Sequence, residues 1–190
     1  MPAPIISERD LDFMLYELFD AEGLTKRPRY QDHSRETFSA AIATAKAVSE
    51  KHFLPIRSKV DSNQPTFDGK KVTMLPEIKP ALDAVVEAGL LSPTADYDAG
   101  GMQLPLIVSS AASAYISAVA STTTGYLALT NANSNLIEAH GTSEQIQKWV
   151  APMREGRFYG TMAMTEPSAG SGLADLTTTA VPYNQLTPPT

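Results

Sequence analysis

The chain contains no cysteine, which excludes disulfide crosslinks, a thiolate nucleophile and any zinc site built on cysteine. Histidine is nearly as scarce. His33, His52 and His140 are well spread, and no metal cage is expected of them. Positive charge is in deficit: 15 Lys and Arg against 21 Asp and Glu leave a net charge of −6, the opposite of a nucleic-acid-binding footprint. No apolar run approaches the roughly 20 residues expected of a membrane span. The N-terminus, MPAPIISERD, lacks the basic region and apolar core of a signal peptide. What is present is the composition of a folded cytoplasmic protein, 43% hydrophobic and 19% charged over 190 residues. That length accommodates one large domain, or one domain and part of another.

The hydrophobic period is helical for most of the length. In ERDLDFMLYELF, Leu11, Met14, Leu15 and Leu18 share one side, and Gly23 with the basic TKRPRY ends the segment. A second helix is expected from near Ser34 to the residue before Pro55, with Phe38, Ile42, Ala45 and Val48 as its stripe. The segment DSNQPTFDGKK reads as a polar loop. Pro76 suits the first turn of a helix that buries Ile78, Leu82, Val85 and Val86 and stops at Gly89. PTADYDAGGMQLP, with two prolines and two adjacent glycines, is a loop.

From Leu106 to about Ser121 the chain is uncharged and rich in Ala, Ser, Ile and Val, and a further helix is expected over Tyr126–Ala139. Asn131, Asn133 and Asn135 lie in that helix. They are costly in a core unless partnered, so part of it is expected to face a cavity. Gly141 ends the helix, and Thr142 with Gln145 reads as a capping box for the next, which Gly156 closes. RFYGTMAMT then changes period to two, placing Tyr159, Thr161, Ala163 and Thr165 on one face of an expected strand.

That strand runs into MAMTEPSAGSG, Met162–Gly172. It ends in a hydroxyl, a carboxylate and bare backbone, which offer a flat polar ring fixed donors and room for close approach. A flavin edge needs this combination. By itself the stretch reads more readily as a surface turn, with Glu166 a surface carboxylate.

Order and spacing add to this. AMTEPSAGS at 163–171 resembles the signature of the acyl-CoA dehydrogenase family. DYDAGGMQLP resembles the Tyr-Gly-Gly turn of that family, and HGTSEQIQKWVAPMREGRFYG resembles its segment ahead of the strand. The three elements occur in family order over about residues 35–180. RDLDFMLYELFD resembles the N-terminal extension of the branch that includes 3-methylmercaptopropionyl-CoA dehydrogenase.

The resemblance implies a mainly α fold: an extension over 1–30, a helical N-terminal domain over 31–156, and the incomplete start of a β domain over 157–190. It implies FAD as cofactor, with Met162, Met164 and Thr165 lining the flavin and Thr165 bonding its ring edge. Gly170 and Ser171 would sit where FAD and the CoA arm of the thioester bind, Ser171 touching substrate as well, and the uncharged helices from Leu106 to Ala139 would contribute pocket wall. The reaction implied is α,β-dehydrogenation of an acyl-CoA, with electrons leaving to electron-transfer flavoprotein, in a homo-oligomeric parent enzyme.

Two features depart from the family pattern. Gly172 stands where the signature expects Asp, losing a carboxylate able to fix the turn. The β domain and the C-terminal bundle that carries the family's catalytic Glu do not follow, and VPYNQLTPPT does not resemble the strand expected next. The expectation is therefore a truncated chain with no catalytic residue of its own and no activity alone, Glu166 not being the family's base. Relatives that oxidise nitroalkanes or bind DNA share the fold, but the charge weighs against the second and the N-terminal extension against both. The alternative is a non-catalytic helical interaction module, or a pseudogene product.

Overall fold

The computed structural model describes residues 5–179; the first four residues and the tail from Ala180, with VPYNQLTPPT, lie outside them. α1 (Glu8–Asp12) starts where the Ser7 hydroxyl accepts from the Asp10 N–H at 3.3 Å. It widens into a π turn over Phe13–Leu18 and buries Leu11 and Leu15. The widening rotates the expected stripe, so Met14 and Leu18 are exposed. The helix stops at left-handed Asp20 rather than Gly23, and short 3₁₀ turns follow over Ala21–Lys26 and Pro28–Tyr30.

α2 (Arg35–Val48) opens on a reciprocal cap: Thr37 N–H donates to Ser34 Oγ at 3.3 Å and Ser34 N–H to Thr37 Oγ1 at 2.9 Å. Phe38, Ile42 and Ala45 are buried at the expected spacing. The helix continues as a π turn over Ser49–Phe53, where the buried Ser49 hydroxyl donates to the Tyr115 carbonyl at 2.8 Å. α3 (Arg57–Ser62) follows after a 3₁₀ turn.

The expected polar loop contains a small hairpin, β1 (Thr66–Phe67) and β2 (Val72–Thr73), paired antiparallel. Asp68 fixes its turn by accepting from Lys70 and Lys71 N–H groups at 2.8 and 2.7 Å. The strands are too short for an alternation to be legible, and both are exposed. α4 (Ile78–Glu87) buries Ile78, Ala81, Leu82 and Val85, with Val86 half-buried, and ends as expected at Gly89, which follows the cap residue Ala88 with a left-handed φ of +71°.

α5 (Leu106–His140) joins the two expected helices into one rod, broken at Ala120, whose backbone leaves helical geometry at φ −145° and ψ 49°. By length and composition α5 would suffice to cross a membrane, contrary to the sequence expectation, although half of its most apolar stretch is buried in the body. Val108, Ala112, Tyr115 and Ile116 pack with Phe38 and Phe53 of the second helical segment and Val85 of α4, and this is the core. Thr142 and Gln145 form the expected box for α6 (Ser143–Gln145), which passes through a π turn, Ile146–Val150, into α7 (Ala151–Arg154). The molecule is mainly α-helical. Residues 157–165 contain no helix and no paired strand, because no partner strand lies beside them among the described residues.

Candidate functional site

The extended segment after α7 is fastened to the second half of α5. The buried Thr130 hydroxyl donates to the Tyr126 carbonyl at 2.6 Å and accepts from Gly160 N–H at 3.1 Å. One turn on, Asn133 Nδ2 donates to the Thr161 carbonyl at 3.0 Å. A Cβ at Gly160 would lie 2.7 Å from Asn133 Cβ, so glycine is what lets the segment lie against the helix. Asn131 accepts from the Ser92 hydroxyl at 2.8 Å, and with Asn135 it lines a groove of about 360 Å³ that runs along α5 past Leu91 and Pro93. The asparagines thus do both things expected of them: two are partnered, and two face a cavity.

Beyond Thr161 the chain carries the predicted site residues. Met162 and Met164 are 39% and 47% exposed, two positions apart in extended backbone. Thr165 is exposed and its hydroxyl has no protein partner among the described residues. Its Cγ2 lies 3.9 Å from where a Cβ on Gly170 would stand, so these two positions are neighbours. The turn between them is closed by Glu166 and Ala169, which exchange backbone hydrogen bonds of 2.8 and 3.2 Å around buried Ala169. Gly170, Ser171 and Gly172 are exposed, and their N–H groups donate to no acceptor among the described residues.

Glu166 is not an idle surface carboxylate. It accepts from Thr177 N–H and Thr177 Oγ1, each at 3.1 Å, and from Thr178 N–H at 2.7 Å. The Thr178 hydroxyl first, and then the Thr177 and Thr178 N–H groups, stabilise its ionised form and hold its pKa at about 2. A carboxylate so depressed is a poor proton acceptor. Asp175 folds back over the turn, its Oδ2 2.7 Å from the place of a Cβ on Gly172. A carboxylate therefore stands beside position 172 although the residue there has no side chain. Neither Asp175 nor the threonines were legible as partners; the only trace is the run TTT after the motif.

The Pro93–Leu104 loop is held from two sides. From the segment ahead of α2, Arg29 pairs with Asp96 and donates to the Thr94 carbonyl at 3.0 Å, and His33 Nε2 donates to the Met102 carbonyl at 3.0 Å. From α7, Arg154 donates to the Ala99 carbonyl at 3.0 Å and forks onto both oxygens of Glu138 at 2.9 and 2.6 Å. No group of three His, Cys, Asp or Glu side chains suited to a metal ion occurs among the described residues.

Against known proteins, the family model described as "Acyl-CoA dehydrogenase, N-terminal domain" matches residues 35–157. The chain is 26% identical over 179 residues to 3-methylmercaptopropionyl-CoA dehydrogenase of Ruegeria pomeroyi, covering 94% of this chain and 30% of that protein. It is 29% identical over 175 residues to the broad-specificity linear acyl-CoA dehydrogenase FadE5 of Mycobacterium tuberculosis, covering 91% and 28%. A solved structure described as the electron transferring flavoprotein of Acidaminococcus fermentans superposes with a TM-score of 0.61 at 25% identity, over 75% of this chain and 35% of that one. The chain thus spans about a third of the length of the relatives it matches.

Proposed function

Since the chain belongs to the acyl-CoA dehydrogenase family, we propose that it serves FAD-dependent α,β-dehydrogenation of an acyl-CoA thioester, in which it supplies helical wall and one edge of the flavin site. The observation that carries this reading is the turn itself. The exposed Met162, Met164 and Thr165 end the extended segment, and Thr165 stands beside Gly170, the first of three consecutive amides, Gly170 to Gly172, without acceptors among the described residues. Apolar surface beside unpaired donors fits a flavin ring and its polar rim.

When bound, FAD supplies the hydride acceptor for the β-carbon. The residues of this chain bind and orient. Thr165 would offer its hydroxyl to the cofactor, Met162 and Met164 would supply apolar surface to it, and the Gly170 and Ser171 amides would donate to oxygens of cofactor and thioester. The groove along α5 offers room for the acyl group. Removal of the α-proton is assigned to no residue of this chain, because Glu166 is spent on Thr177 and Thr178. Electrons would leave to electron-transfer flavoprotein, and the parent enzyme would be a homo-oligomer.

Titration of FAD into the chain, followed by flavin fluorescence quenching, tests the assignment. Thr165→Val should weaken binding by one hydrogen bond, about 0.5–1.5 kcal/mol. Equal affinity for Thr165→Val and the parent would remove Thr165 from the site.

A further inference from the structure

Ten residues, 167–176, separate Glu166 from Thr177, and the chain between them makes no regular structure beyond one tight turn and one 3₁₀ turn, Leu173–Asp175. Among the described residues, the only hydrogen bonds that reach Thr177 and Thr178 are those to Glu166. Charge-assisted bonds of this kind are about twice as strong as neutral ones, and one carboxylate here receives two amides and a hydroxyl.

We propose that Glu166 is a positioning residue: its carboxylate ties Thr177 and Thr178 to the end of the Thr161–Thr165 segment, closing residues 167–176 into a loop that keeps the Gly170, Ser171 and Gly172 amides available to a ligand oxygen. The geometry favours an ionised carboxylate, because the Thr177 and Thr178 groups on it all donate. Without it, two backbone amides lose their acceptor and the ends of the 167–176 loop separate, leaving only the Glu166–Ala169 backbone bonds to hold Thr165 beside Gly170. The role explains why a carboxylate follows Thr165 although it is unsuited to take a proton. What the loop faces rests on the flavin reading above; the tie does not.

The sign of the pH dependence follows from the depressed pKa. The tie is fully present above the ordinary glutamate value of 4.5 and is lost as pH falls through about 2.

The test uses the ¹⁵N-labelled 190-residue chain and its Glu166→Gln and Glu166→Ala variants, with amide signals of α2 and α5 as a control for the fold. In the parent, Thr177 and Thr178 amides should exchange with solvent about 10-fold or more slowly than in Glu166→Ala. Glu166→Gln, which keeps one accepting oxygen, should fall between. The two parent amide shifts should stay constant on acidification through pH 4 and move only below it, a readout that needs no substitution. Added FAD should shift amides of residues 165–172 in the parent and do so less in Glu166→Ala. Equal exchange in parent and Glu166→Ala, or titration near 4.5, would overturn the tie. FAD shifts of the same size in both proteins would overturn the positioning role. Slow exchange with no FAD shift at 165–172 would sustain the tie and overturn the flavin reading instead.

Discussion

Gly100 and Gly101 are adjacent and serve for different reasons. Gly100 adopts φ +79° with nothing near its missing Cβ, so it is there for backbone conformation. Gly101 has an ordinary φ, but a Cβ would come within 2.1 Å of the Ala95 carbonyl oxygen and 2.4 Å of its carbon. Gly100→Ala should therefore cost about 1–2 kcal/mol of left-handed strain. Gly101→Ala must push backbone from backbone, and should cost at or above the upper end of the about 1–3 kcal/mol typical of overpacking. Urea midpoints at equal m-value check the order; equal losses would contradict it. By contrast, the contact over Gly172 is with the far end of the flexible Asp175 side chain, which can swing aside.

Among the elements, the Pro93–Leu104 loop has two anchors of unequal weight. Arg29 and Asp96 are 44% and 61% exposed, so their ion pair is screened by water and Arg29→Ala should cost less than about 1 kcal/mol. Arg154 is 8% exposed and serves a carboxylate and a carbonyl at once. Arg154→Ala should cost about 2–3 kcal/mol, read as a fall in the urea midpoint; a loss no greater than that of Arg29→Ala would reverse this ranking.

The helices themselves were legible because their evidence is local. Thr142 with Gln145 announces a cap, and the spacing of Phe38, Ile42 and Ala45 announces a face, whereas the Ser34–Thr37 cap came only with the structure. What escaped was non-local or below the length at which a period shows. The π widening of α1, the two-residue strands and the joining of two helices at Ala120 belong to the first kind or the second. The site divides in the same way. The order of Met162, Met164, Thr165, Gly170 and Ser171 could be read along the chain. That Glu166 answers to Thr177 and Thr178, and Thr161 to Asn133, could not, since each bond crosses 11 or more positions.

At the scale of the molecule, the core between α2, α4 and α5 is closed, while the side that carries the proposed site is open. Leu129 and Leu136 of α5 are 40% and 52% exposed, and Phe158, Tyr159, Met162 and Met164 of the segment fastened beside them are exposed too. A surface of this kind marks a place for another apolar partner, and the relatives have about two thirds more of their length to place against such a surface. In the proposed reading, the residues of this chain shape and orient, and Glu166 does not take the α-proton. A positioned carboxylate base is worth roughly 10²–10⁴-fold, and Glu166, with its pKa held at about 2 by the hydroxyl and N–H groups of Thr178 and Thr177, does not provide one. The most direct measurement is turnover of short acyl-CoA esters by the monodisperse 190-residue chain, with added FAD and an artificial electron acceptor. The account predicts no turnover above background. Turnover above background that disappears in Glu166→Gln would contradict it.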